Sequence, residues 1–110
     1  MPVREVTARE LAQALAGPEA TRPVVLDVRT SDELRVASLA GAMHVPMNEL
    51  PARLDEVRAL AERPVVVLCH TGVRSYRAAA FLDSVGIPAA SLRGGIEAWA
   101  VDVDPRVPRY

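Results

Sequence analysis

The 110-residue chain carries one cysteine, Cys69, and it opens a stretch whose residue types suit one kind of chemistry. The stretch reads Cys69-His70-Thr71-Gly72-Val73-Arg74-Ser75. A thiol becomes a nucleophile when its thiolate is stabilised. Gly72 lets the backbone curl until successive N–H groups converge on one point, an anion-binding nest. Arg74 brings a fixed positive charge, for an anionic substrate or for a carboxylate partner. Ser75 reads as the N-cap of the helix that follows, over Tyr76–Val85. The positive end of that helix's dipole adds to the field. The competing reading is that Cys69 closes a buried strand as a small hydrophobe. Its position just past an apolar run, where the chain turns polar, favours the nucleophile.

That loop must be held by elements on either side. Val24-Val25-Leu26-Asp27-Val28 and Pro64-Val65-Val66-Val67-Leu68 are short apolar runs. Unbroken β-branched runs suit strands buried on both faces, as in a parallel sheet. Weaker strand signals cover Val3–Val6, Ala42–Val45 and Ala89–Leu92. Thr7 and Glu10 form a capping box ahead of Ala8, Leu11, Ala12 and Leu15 at helical spacing. Gly17 and Pro18 stop that helix, and Gly17 to Pro23 is a short loop. Leu50, Leu54 and Val57 share a second helical face. Ala78, Phe81, Leu82 and Val85 share a third, ended by Gly86 and Pro88. A last short helix covers Gly95 to Ala100. The expected fold is α/β, a mostly parallel five-stranded sheet with helices on both faces. Ligands in such sheets sit beyond the carboxyl ends of the strands. This selects the loops after Val28 and Leu68.

Composition narrows the function. A net charge of −1 with 50% hydrophobic and 25% charged residues argues against disorder and against a general nucleic-acid binder. One cysteine excludes an intrachain disulfide framework and a multi-cysteine metal site. All 13 basic residues are arginine, so Schiff-base chemistry on lysine is absent. No apolar stretch is long enough for a signal peptide or a membrane span. With a free thiol, this points to a cytoplasmic protein of one domain, residues 1–110.

Four segments in order resemble the rhodanese (sulfurtransferase) family, from Val6 to Trp99. Leu26-Asp27-Val28-Arg29-Thr30-Ser31-Asp32-Glu33-Leu34 resembles its "DVR-x-x-x-E-[FY]" segment. Gly41-Ala42-Met43-His44-Val45-Pro46 resembles its "GA-x-x-[IV]-P" segment. The Cys69 loop resembles the active-site loop, and Leu92-Arg93-Gly94-Gly95-Ile96-Glu97-Ala98-Trp99 the closing "L-x-GG-x-x-AW". The resemblance implies a rhodanese-like fold with Cys69 as the sulfur-accepting nucleophile. It implies a cysteine persulfide cradled by the backbone N–H groups of residues 70 to 74 (His70, Thr71, Gly72, Val73 and Arg74). The implied donor is a small molecule such as thiosulfate, and the implied acceptor is a thiol or cyanide. No metal or organic cofactor is implied. By resemblance to the family's structural pair, Glu33 is the acid expected beside Arg74, and a pair is favoured because an unpaired buried guanidinium is costly. His70 is expected to form a wall of the site, Thr71 to line its mouth, and Asp27 and Arg29 to hold loops in place. His44 reads as a packing or surface residue, and Trp99 as core or a cap over the sheet edge.

Four residues lie between Cys69 and Arg74, giving a six-position cradle. Phosphatases and arsenate reductases of the same fold have one residue more, so the tighter ring places sulfur transfer above phosphate or arsenate chemistry. The segment Trp99 to Pro105 resembles rhodanese domains linked to ubiquitin-like adenylyltransferases in sulfur-carrier pathways. This raises the alternative of a sulfur-carrier or binding module serving a protein partner. The chain departs from the family at Ala37-Ser38, where Gly-His is common, and at Leu34, where an aromatic is common. These departures bear on substrate preference more than on fold.

Overall fold

In a computed structural model, residues 2–110 are described. Five strands form one sheet: β1 (Arg4–Val6), β2 (Val24–Asp27), β3 (Met43–His44), β4 (Val65–Leu68) and β5 (Ala89–Leu92). Their order is β1-β5-β4-β2-β3. Every pairing is parallel, so the sheet goes beyond the mostly parallel one expected. Leu26 lies opposite Val67 and Asp27 opposite Leu68, which aligns the carboxyl ends of β2 and β4. Cys69 leaves β4, an interior strand flanked by β5 and β2.

The alternation of side chains along β4 divides the core in two. Val65, Val67 and Cys69 join Leu26, Leu50, Val57, Ala78 and Leu82 on the face covered by α3 (Leu54–Arg58) and α4 (Val73–Ser84). Val66 and Leu68 join Leu11, Leu92, Ile96 and Trp99 on the face covered by α1 (Ala8–Leu15) and α5 (Gly95–Asp102). Trp99 is therefore core. All four β4 residues are buried, as an unbroken apolar run in a parallel sheet requires.

Three local outcomes differ from the sequence pattern. The helix α2 (Ser31–Val36) has a complete capping box from Thr30 and Glu33, yet it buries no residue and so shows no apolar stripe. The face of Leu50, Leu54 and Val57 is split: a 3₁₀ stretch over Met47–Arg53 contains Pro51, and only Leu54–Arg58 is α-helical. Proline lacks the N–H that an α-helical turn needs there. Ser75 is not the N-cap of α4. That helix begins at Val73 behind Gly72, whose φ of +106° no L-residue readily adopts, and Ser75 lies buried inside its first turn.

One buried charge pair ties the β2 end together. Asp27 and Arg29 are 1% and 0% exposed. Arg29 Nη2 donates to Asp27 Oδ2 at 2.7 Å and to the Ala37 carbonyl at 2.9 Å, while Nε donates to Asp27 Oδ1 at 3.0 Å. His44 Nε2 meets the Arg29 carbonyl oxygen at 2.7 Å, which gives that side chain a packing role. The bordering turn at Ala37 is thus fixed through its backbone carbonyl. Asp27→Asn leaves the buried guanidinium without its counter-charge. It is expected to cost about 3–5 kcal/mol, read as a lower urea midpoint at neutral pH.

Candidate active site

The loop after β4 owes its shape to α5. Ile96 N–H donates to the Cys69 carbonyl at 2.8 Å, and Glu97 N–H to the His70 carbonyl at 3.1 Å. The first N–H groups of a helix have no partner inside it, so these loop carbonyls satisfy them. A trans peptide sets its N–H opposite its C=O. Drawing both carbonyls toward α5 therefore turns the N–H groups of His70 and Thr71 away from it. Gly95 makes this approach feasible. A Cβ there would lie 2.5 Å from the Cys69 carbonyl oxygen and closer still to that of His70, and Gly95 has a φ of +62°. Gly72 packs on the same turn, where a Cβ would come within 3.1 Å of the Gly94 nitrogen.

The Cys69 sulfur is enclosed, the residue being 1% exposed. Gly72 N–H donates to Sγ at 3.0 Å, and the thiol donates to Ser75 Oγ at 3.3 Å. Ser75 Oγ meets Ser91 Oγ at 2.7 Å, and both serines are fully buried. Hydroxyl hydrogens rotate, so this chain can accept from a thiol or donate toward a thiolate. Sequence reasoning missed Ser91. The available signal was a lone hydroxyl in the apolar run of β5, since buried polar groups need partners.

At the far end of the loop, Arg74 grips Glu33 with two bonds, Nη1–Oε1 at 2.6 Å and Nη2–Oε2 at 2.8 Å. The Glu33 carboxyl is held far below the usual carboxylate range. The Arg74 bonds are the main cause and burial opposes them; the Tyr110 hydroxyl and the Thr30 N–H assist. The Arg74 guanidinium is raised by its bonds to Glu33, with burial opposing them. Thr71 and Val73 are exposed on the outer side, and His70 is half-buried. Tyr110 was also missed. Its ring stacks on His70 with centroids 3.9 Å apart, and its hydroxyl donates to Glu33 Oε2 at 2.7 Å. Nothing in local spacing announces a contact that joins residues so distant in the chain. Among the described residues, no cluster of His, Cys, Asp and Glu could hold a metal, and no helix is long and apolar enough to cross a membrane.

The fold and loop define an α/β protein with one cysteine at the carboxyl end of an interior parallel strand, its sulfur bonded by the Gly72 N–H. The chain belongs to the Rhodanese-like domain family, which matches residues 7–102. A sulfurtransferase of Allochromatium vinosum is 37% identical over 99 residues, covering 89% of each chain. An adenylyltransferase and sulfurtransferase of Arabidopsis thaliana is 32% identical over 120 residues; the match covers 96% of this chain and only 25% of that protein. The crystal structure of thiosulfate sulfurtransferase from Pseudomonas aeruginosa is similar at a TM-score of 0.80 and 30% identity, over 97% of this chain and 20% of that one. A rhodanese-like domain protein from Staphylococcus aureus gives 0.82 at 26% identity, over 98% and 99%. These similarities support sulfur transfer in general.

Two outcomes follow from the geometry. A depressed carboxyl stabilises the fold fully above its ordinary value of 4.5, and the contribution is lost as pH falls toward the folded-state value. Glu33→Gln should therefore lose about 1–3 kcal/mol at pH 7, with the gap to the parent in thermal melts narrowing in acid. Gly95→Ala pushes α5 off the loop. It should cost about 1–3 kcal/mol and speed alkylation of Cys69, measured by intact mass.

Proposed function

We propose that the protein is a sulfurtransferase that carries a sulfane sulfur on Cys69. The observation that carries this reading is the enclosed sulfur, held by the Gly72 N–H at 3.0 Å in a cradle closed by the Arg74–Glu33 pair. With thiosulfate as donor, the Cys69 thiolate attacks the outer sulfur. The S–S bond of the donor breaks, sulfite leaves with the bonding pair, and a cysteine persulfide anion remains. In the second half, a thiol or cyanide takes the outer sulfur and the thiolate returns. With cyanide the product is thiocyanate. Charge is conserved in each half.

The roles divide along the loop. The N–H groups of residues 70 to 74 are assigned to the anionic outer sulfur, as a preorganised cradle; the Gly72 N–H, which already bonds Sγ, supports this. The Ser75–Ser91 hydroxyls turn toward the inner sulfur when it is charged. Arg74, already paired with Glu33, supports the loop as well as adding positive potential. The chain has no second cysteine, so the persulfide is resolved by an outside acceptor.

A second reading is favoured by the similarity to the Arabidopsis adenylyltransferase and sulfurtransferase. Here the acceptor is a protein of a sulfur-carrier pathway, and turnover on small donors is slow. Both readings need the persulfide. Incubation with thiosulfate should add about 32 Da, one sulfur atom, to the intact mass. Dithiothreitol should remove it, and Cys69→Ser should never acquire it. If neither the adduct nor thiocyanate forms with thiosulfate or with a small-molecule persulfide, the reading fails.

A further inference from the structure

The segment that follows α5 returns across the Cys69 loop. Asp104 N–H donates to the Trp99 carbonyl at 2.9 Å, and Val107 packs among the apolar residues of the α1–α5 face. From there two residues reach acids at the two ends of the loop. Arg109 Nη2 holds Glu97 at 2.7 Å, and Glu97 is the residue whose N–H bonds the His70 carbonyl. The Tyr110 hydroxyl donates to Glu33, the partner of Arg74, and accepts from Arg29 Nη1 at 2.9 Å. The ring between these anchors lies flat on His70, with 7° between the planes.

Tyr110 thus stretches from the residue next to the nucleophile to the ion pair that closes the loop. Each contact fixes a different part of it. The stack sets the plane of the ring, and the two hydroxyl bonds set its rotation. Burial is the main influence on the phenol and raises it, so it remains a donor to the Glu33 carboxylate at neutral pH. Thr71 and Val73, the other outward residues of the loop, are exposed and carry no such cover.

We propose that Tyr110 is a specificity-determining residue that fences the approach to Cys69. It admits compact sulfur donors and acceptors, such as a thiosulfate dianion, and holds back bulky ones, such as a persulfide carried on a peptide. The sulfur chemistry named here rests on the function proposed above; the fence itself does not.

The test separates the two. Cys69 is the sole thiol, so its alkylation can be followed by intact mass without ambiguity. Tyr110 is 41% exposed, so its replacement leaves the core in place. Tyr110→Ala is expected to speed labelling by a fluorescein maleimide about tenfold, while iodoacetamide labelling changes by less than about twofold. Tyr110→Phe keeps the stacked ring and should stay within about threefold of the parent with both reagents. In the transfer assay, Tyr110→Ala should raise the ratio of kcat/KM for glutathione persulfide over thiosulfate. Equal acceleration of both reagents means a generally loosened loop and overturns the fence, as does no acceleration. Tyr110→Phe opening as far as Tyr110→Ala overturns the part given to the ring. If the parent transfers no sulfur yet the labelling selectivity holds, sulfur transfer fails and the fence stands.

Discussion

The site depends on one close approach, the seating of the α5 N-terminus on the carbonyls of Cys69 and His70. It answers two needs together. The helix start gains acceptors for N–H groups that have none within the helix, and the loop gains a fixed orientation for its peptide planes. No side chain could do this work at such a distance, because backbone meets backbone through the bare Cα of Gly95. The pairing of β4 with β5 brings the two turns side by side, and α5 follows directly from β5. Sheet order is in this sense the first determinant of where the loop's donors point.

Charge is arranged around that loop in a graded way. The innermost pair, Asp27–Arg29, is fully buried and shapes the β2 end. The next, Arg74–Glu33, is part-buried and ties down the far end of the Cys69 loop. The outer one, Arg109–Glu97, is more exposed and lies over the loop start. Exposed pairs are worth little in stability, so the outer pair is best understood as directing a segment. Glu33 links the layers, since it accepts from Thr30, Arg74 and Tyr110.

Much of this was legible in the residues, for reasons that can be located. The Thr7–Glu10 box and the β-branched runs of β2 and β4 are local patterns, and these match the structure. The same Thr-x-x-Glu signal at Thr30 and Glu33 also starts a helix, but α2 buries nothing and so lacks the periodicity that would have marked it. The start of α4 was misplaced because Ser75 has the chemistry of a cap. Its hydroxyl is instead committed to Cys69 and Ser91. The cysteine, the glycine and Arg74 could be found as a cluster. Ser91 offered only its lone hydroxyl in the apolar run of β5, and Tyr110 offered nothing, since it reaches the loop only through tertiary folding.

The edges of the sheet are short: β3 has two residues and β1 has three. Edge strands fray first and offer unpaired backbone to neighbouring molecules. Here the loop-bearing strand lies inside, between β5 and β2, and the edges present little to copy. Fraying at the rim can therefore begin while β4 stays paired on both sides, and a chain crowded by its own kind has few free ladders on which to stack.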